Sequence, residues 1–231
     1  MSDFVIRPIA HLESDLGEKF GLPRQAGIVE ALEGRVVFES AFRNPDALRG
    51  IEGFSHLWLI WQFSQALRDG FSPTVRPPRL GGNARVGVFA SRSPFRPNAL
   101  GLSCVRLLRV EKDDARGLTL IVGGADLADG TPIFDIKPYL PYADCKPDAL
   151  SGFAPDAGST LAVVFAPGTE ALIPPQKRAA LRGVLENDPR PRYQNDPERV
   201  YGLRFADKNV KFRVEGEVLT VLEVDSANGE K

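Results

Sequence analysis

The sequence predicts a mainly β protein: an antiparallel β-barrel over residues 1–150 followed by a small α+β domain over 151–231. Two observations carry this. Up to about residue 145 the chain reads as six or seven short apolar runs cut by Gly-, Pro- and Asp-containing turns. No long amphipathic helix separates them, so the βαβ units of a parallel sheet are absent. After "FAPDAGST" and "LIPPQ" the texture changes to one helix-spaced segment and three alternating ones.

Residues 4–10 and 35–39 ("RVVFE") read as short strands joined by a connection containing "GLPRQAG". "NPDALRG" allows one helical turn, opened by Asn-Pro and closed by Gly. "SHLWLIWQFS", 55–64, is almost continuously apolar and reads as a strand buried on both faces. "SPTVRPPRLGGNA" is too rich in Pro and Gly for regular structure, and "RVGVFA" follows it as a strand. Three further strands are predicted in "ALGLSCVRLLRV", "GLTLIVGGADL" and "TPIFDIKPYL", divided by the turns "EKDDARG" and "ADLADG". In the second half, "QKRAALRGVLEND" spaces Ala179, Leu181, Val184 and Leu185 as a helix does, and the prolines of "NDPRPRYQ" stop it. "VYGLRF", "NVKFRV" and "VLTVLEV" then form a three-stranded meander.

Composition excludes several classes. With 43% hydrophobic and 26% charged residues, and no apolar run near the roughly 20 residues that span a bilayer, the chain reads as globular rather than membrane-embedded. Its start, "MSDFVIRPIAHLESD", lacks the layout of a signal peptide, so a cytoplasmic location is expected. Cys104 and Cys145 read as free thiols, and with His11 and His56 they give no zinc spacing and no metal site. His56, inside an apolar strand, reads as a structural histidine. The loops that cradle nucleotides are missing, as are the helical zinc motif and the nucleophile elbow.

Net charge is −1, yet the seven arginines between Gly70 and Val110 (Arg76, Arg79, Arg85, Arg92, Arg96, Arg106 and Arg109) face no Asp or Glu in that stretch. A local basic face on a near-neutral chain suits a specific anion or an RNA contact, unless acids from elsewhere in the fold pair with it. Three Pro-anchored polar segments read as rigid loops at one barrel end: "LPRQAG", "SRSPFRPN" and "DLADGTPIFDIKPYLPYAD". Proline restricts the residue before it, which presets Ser93 and Arg96 for an anionic ligand.

Taken together, "PRQAG", "RNPDALRGIEGFSHLWLIW", "VRPPRLGGNARVGVFASRSPFRPNALGLS" and "DGTPIFDIKPYLPYAD" closely resemble the signature blocks of the TsaA-like, or TrmO (YaeB), family of tRNA methyltransferases. The resemblance continues through "DPRPRYQ" and "NVKFRV" and so covers nearly the whole chain. It implies an S-adenosylmethionine-dependent homodimer with a β-barrel fold. The implied substrate is the exocyclic amine of threonylcarbamoyladenosine, immediately 3′ of the anticodon in threonine tRNA. Carried over residue by residue, the cofactor pocket comprises Pro23, Arg24 and Gln25 of "PRQ", Ser64 and Gln65, Arg92, Leu102, and Asp129, Gly130, Thr131 and Pro132 of "DGTP". Many members carry histidine where this chain has Ser64, a change that a backbone contact tolerates.

From charge complementarity, Asp129 is expected near the cofactor's cationic or hydroxyl groups and Arg24 or Arg92 near its carboxylate. Arg96, Arg85 or Lys137 is expected to hold the threonine carboxylate of the target base or a phosphate, and Asp135 to act as base on the acidified amine. Phe95, Tyr139 or Tyr142 offers a stacking face for a splayed base, whereas Phe89 reads as core. Arg192 and Lys211 add charge for a tRNA arm. The alternative is a non-catalytic module of the same fold that binds S-adenosylmethionine or RNA. A hydrolase is a third class, for which no nucleophile with its base is visible.

Overall fold

The structure is a computed structural model that describes residues 5–81, 83–156, 158–190 and 196–227. Six strands close into a barrel: β1 (Ala10–Ser14), β2 (Glu33–Phe38), β3 (His56–Gln62), β6 (Leu100–Asp113), β7 (Gly117–Gly123) and β8 (Thr131–Pro138). Their order around the barrel is β1-β2-β7-β6-β3-β8, every neighbour is antiparallel, and β8 returns to pair with β1, Leu12 facing Thr131. Closure removes the exposed edges that an open sheet would leave. Because side chains alternate along a strand, every second residue enters the barrel. Leu12, Val36, Leu57, Leu59, Val105, Leu120, Val122 and Ile133 are fully buried there, and Trp61 caps one end.

Four strand expectations need correction. The first strand begins at Ala10, after Pro8, which has no N–H to give to a ladder. The apolar run in β3 alternates: Leu57, Leu59 and Trp61 are buried, while Trp58 and Ile60 are only half-buried on the outer surface. "RVGVFA" is strand only as β5 (Val86–Gly87), which pairs with β4 (Thr74–Val75) and then turns at Val88–Ala90. Pro73 and Pro77 bracket β4 and end that ribbon after two residues. The C-terminal sheet has four strands rather than three, in the order β10 (Tyr201–Phe205), β11 (Lys208–Glu215), β12 (Val218–Ser226), β9 (Ala162–Phe165).

Strand β9 runs parallel to β12, so its partner arrives only after a long crossover, and no local turn announces it. Helix α1 (Pro141–Asp144) is a single turn, and α2 (Pro175–Glu186) covers the C-terminal sheet. Of the helix face expected from sequence, Leu181, Val184 and Leu185 are buried with Ala180, and Ala179 is exposed. Residues 180, 181, 184 and 185 form one continuous stripe at 3.6 residues per turn, which residue 179 falls outside. Among the described residues, no helix is long and apolar enough to cross a membrane.

Two hydrophobic clusters result. The barrel forms one. The other joins α2 and the C-terminal sheet to Leu16, Val29 and Leu32 from the β1–β2 connection. Helix α2 lies so close to that connection that a Cβ on Gly183 would sit 2.7 Å from Val29 Cγ1. Lys177 of α2 also pairs with Asp15.

Candidate cofactor and substrate site

A cavity of about 460 Å³ opens at one end of the barrel, in the size range of small-molecule sites. Its floor is apolar and aromatic: Trp61, Phe63, Leu100 and Leu102, with Trp61 and Phe63 in edge contact at 4.4 Å between ring centroids. A register shift at Ile60/Trp61, where β3 meets β8, lies beside it and re-aims the end of the strand. Gly101 lies opposite Trp61 across the β3–β6 ladder, and a Cβ there would overlap the indole.

Of the residues expected from sequence, nine line this cavity: Pro23, Arg24, Gln25, Ser64, Gln65, Arg92, Arg96, Leu102 and Thr131. They come from five separated segments. The wall is tied together by Arg92 Nη1, which donates to Gln25 Oε1 across 67 residues of sequence. Gln65 Nε2 donates to the Gly17 carbonyl at 2.9 Å, so the short turn Ser64–Ala66 after β3 is tethered to the β1–β2 connection. Arg24 Nη2 reaches the Asp188 carbonyl just beyond α2.

The other expected residues lie outside the lining. Asp129 turns away and accepts a hydrogen bond from the Ser14 backbone N–H at 2.9 Å, and Gly130 (φ 72°) makes the tight turn into β8. Pro132 is likewise outside the lining, paired with His11 in the ladder. Asp135 and Lys137 share one face of β8 outside the cavity, 3.0 Å apart as an ion pair, and the Ile136 N–H donates to Asp135 Oδ1.

Arg96 does line the cavity, but its guanidinium is committed. It donates to the carbonyls of Ser93 (3.1 Å), Ser91 (2.6 Å) and Val88 (3.3 Å). In a loop whose Pro94 and Pro97 cannot donate, the arginine supplies the missing N–H groups.

The expected aromatics divide in an unexpected way. Phe95 stacks beneath Arg68 at 4.0 Å, Tyr139 packs beside Trp58, and Tyr142 is exposed. Phe89, expected in the core, is 78% exposed because the turn at Val88–Ala90 points it outward. Lys211 is held by Glu223 (2.7 Å) and Asp225 (3.4 Å), which raise its pKa, so it is not an open cation for RNA. Arg192 lies outside the described residues. Of the arginine run, Arg79 and Arg109 do find acids, Asp156 at 3.8 Å and Glu33 and Glu111 at 3.3 and 2.6 Å.

Sequence reasoning missed Asp126 and Ser103. Asp126 is the one carboxylate among the described residues of the lining, and burial pushes its pKa up against the opposing pull of the Ser103 hydroxyl and the Arg92 charge. The available signal was an acid between Ala125 and Leu127, both buried, two positions after the Gly123-Gly124 pair. Together the lining offers a flat aromatic wall, guanidinium groups for a carboxylate, amide and hydroxyl groups, and one partly buried anion. That donor set fits a zwitterionic nucleoside that also carries a positive charge.

Comparison with known proteins agrees with this architecture. Residues 11–145 match the family model described as the tRNA-methyltransferase O N-terminal domain, and residues 159–227 match the TrmO C-terminal domain. An Escherichia coli (strain K12) protein named tRNA (adenine(37)-N6)-methyltransferase is 44% identical over 225 residues, covering 93% of this chain and 94% of its own length. A Pseudomonas aeruginosa protein whose name describes an S-adenosylmethionine-dependent methyltransferase is 39% identical over 228 residues, 95% and 96% of the two chains. A solved structure titled as that of TrmO superposes with a TM-score of 0.81 at 34% identity, covering 97% of this chain and all of the other.

Proposed function

The chain belongs to the TrmO family of tRNA (adenine(37)-N6)-methyltransferases, and from that premise we propose that it methylates the exocyclic amine of threonylcarbamoyladenosine beside the anticodon of threonine tRNA, using S-adenosylmethionine held in the barrel-end cavity. The observation that carries the cofactor assignment is the Arg92–Gln25 hydrogen bond, which joins the "SRSPFRP" and "PRQ" segments into one wall of the cavity.

S-adenosylmethionine, when bound, supplies an electrophilic methyl group on a sulfonium. The residues of this chain then align and shield. Trp61, Phe63, Leu100 and Leu102 would give its adenine an apolar seat and exclude water; Arg92 and Arg24 would hold its amino-acid carboxylate; Ser64, Gln65 and Thr131 would offer polar contacts. Displacement at the methyl needs the amine in line with the departing sulfur, so positioning supplies much of the rate. Arg96 shapes the loop that carries Arg92. Lys137, exposed on β8 outside the cavity and paired with the half-buried Asp135, is the residue we assign to a tRNA phosphate or the threonine carboxylate, which would have to compete with that ion pair. The homodimer expected from the family resemblance is read by sedimentation, and cytoplasmic tRNA is the natural substrate pool for such an enzyme.

Replacing Arg92 by Ala removes a charged contact and unties Gln25, so donor affinity is expected to fall on the order of tenfold by calorimetry. The function is tested with labelled S-adenosylmethionine and threonine tRNA, with and without the threonylcarbamoyl group, followed by digestion and nucleoside mass spectrometry. Methyl transfer to the modified tRNA alone is expected. Donor binding without product would instead identify a sensor, and transfer to unmodified tRNA would overturn the substrate assignment.

A further inference from the structure

Asp126 is left without a role by everything above, although it is the one carboxylate among the described residues of the cavity lining. Its setting is defined. Trp61 Nε1, which can only donate, gives its hydrogen to Ser103 Oγ at 2.9 Å. The Ser103 hydroxyl, 2% exposed, therefore turns its own hydrogen to Asp126 Oδ1, at 2.5 Å. The chain of bonds runs in one direction and ends on the carboxylate, which it holds as an acceptor in a fixed pose.

No described cation forms an ion pair with Asp126. The Arg92 charge acts on it, but that guanidinium is bonded to Gln25, and the guanidinium of Arg96 is committed to backbone carbonyls. A partly buried carboxylate without a paired cation is costly unless a ligand supplies one. Among the described residues of the lining the other charged groups are Lys19, Arg24, Arg92 and Arg96; with Arg96 committed to its own loop, the first three suit the carboxylate end of a ligand.

We propose that Asp126 is the counter-ion for the sulfonium of the methyl donor, and that through it the site tells the charged donor from its neutral thioether product. The inference rests on the donor reading above. An ammonium group needs acceptors for three N–H bonds, whereas a sulfonium carries its charge with no hydrogen to satisfy. Trp61, Phe63, Leu100 and Ala128, which share the cavity with Asp126, offer aromatic and apolar side-chain surface rather than acceptors, and an aromatic face also favours a cation. Ser103 is then a positioning residue: it keeps the carboxylate aimed without neutralising it. When the methyl leaves, the sulfur loses its charge and Asp126 loses its partner, which favours product departure.

The test is the affinity of S-adenosylmethionine and of S-adenosylhomocysteine, measured by calorimetry on the full chain and on Asp126→Asn and Ser103→Ala. Asp126→Asn is expected to weaken S-adenosylmethionine on the order of tenfold or more, the scale of a charge-assisted contact, and to leave S-adenosylhomocysteine within about threefold. Retained product binding also shows that the variant is folded. Ser103→Ala, which keeps the charge and frees its pose, is expected to narrow the donor-to-product preference by less. Equal losses for both ligands, or none for either, would overturn the assignment and leave Asp126 a structural acid. An unmodified chain that binds neither ligand would instead overturn the donor reading, a separate failure.

Discussion

Phe212→Ala is expected to lower stability by about 3–5 kcal/mol, and with it to weaken methyl-donor binding at a cavity that Phe212 does not touch. The ring is fully buried at the centre of the C-terminal sheet, stacked on Tyr201 at 5.6 Å and facing Phe20 at 6.4 Å. Phe20 belongs to the β1–β2 connection, three residues before Pro23. Removing the phenyl group therefore leaves a void on the surface that seats the "PRQ" wall. Thermal unfolding should show a midpoint lowered by roughly 6–20 °C for a chain of this length. Calorimetry below that midpoint should show weaker donor binding, with most of it restored in Phe212→Leu. A destabilised variant with unchanged donor affinity would separate the two clusters functionally.

Gly101→Ala is expected to disable the site by the addition of a single methyl group. The new Cβ would lie 2.7 Å from Trp61 Cδ2 and closer still to two further ring atoms, so the indole must move. Overpacking of this kind costs about 1–3 kcal/mol. Trp61 is also the first donor in the series that ends on Asp126, and a displaced indole releases Ser103. Near-complete loss of methyl transfer in a variant that still unfolds cooperatively is the expected result. Full activity would mean that the β3–β6 ladder absorbs the methyl without moving Trp61.

The legible parts of this molecule are those set by local rules. Strands β6, β7 and β8 announce themselves by apolar spacing between turn residues, and α2 by its buried stripe. Strand β9 does not, because its parallel partner lies more than fifty residues further along the chain. The apolar run of β3 reads as buried on both faces although its Trp58 side is only partly covered: Trp58 donates to Asp144 at 3.1 Å, a contact set by how the chain returns after β8. The Leu140 N–H, with that contact second, holds the Asp144 carboxyl below its usual range.

At the site, "PRQ" and "SRSPFRP" stand out by their motifs, and the cavity gathers them. What one sequence conceals is the use of each side chain. Arg96 reads as a ligand-facing cation until the carbonyls of its own loop are located. Asp129 reads as an acid aimed at the cofactor, yet the Ser14 N–H claims it, and Asp126, three residues earlier, faces the cavity instead.

The packing of the β1–β2 connection on the C-terminal sheet also sets a timetable for biosynthesis. Leu16, Val29 and Leu32 leave the ribosome early, but Phe205, Phe212 and Leu219, against which they pack, are made last. At bacterial-type elongation speeds of about 5–20 residues per second, the first segment waits on the order of ten to forty seconds for its partners. During that interval the barrel can close and hold the wall bearing Gln25 through Arg92 and through the Gly27 N–H on the Gly124 carbonyl, while the apolar side of the same connection stays uncovered. A chain stopped before Phe205 would therefore present Leu16, Val29 and Leu32 to water, an apolar surface open to association until the last strands arrive.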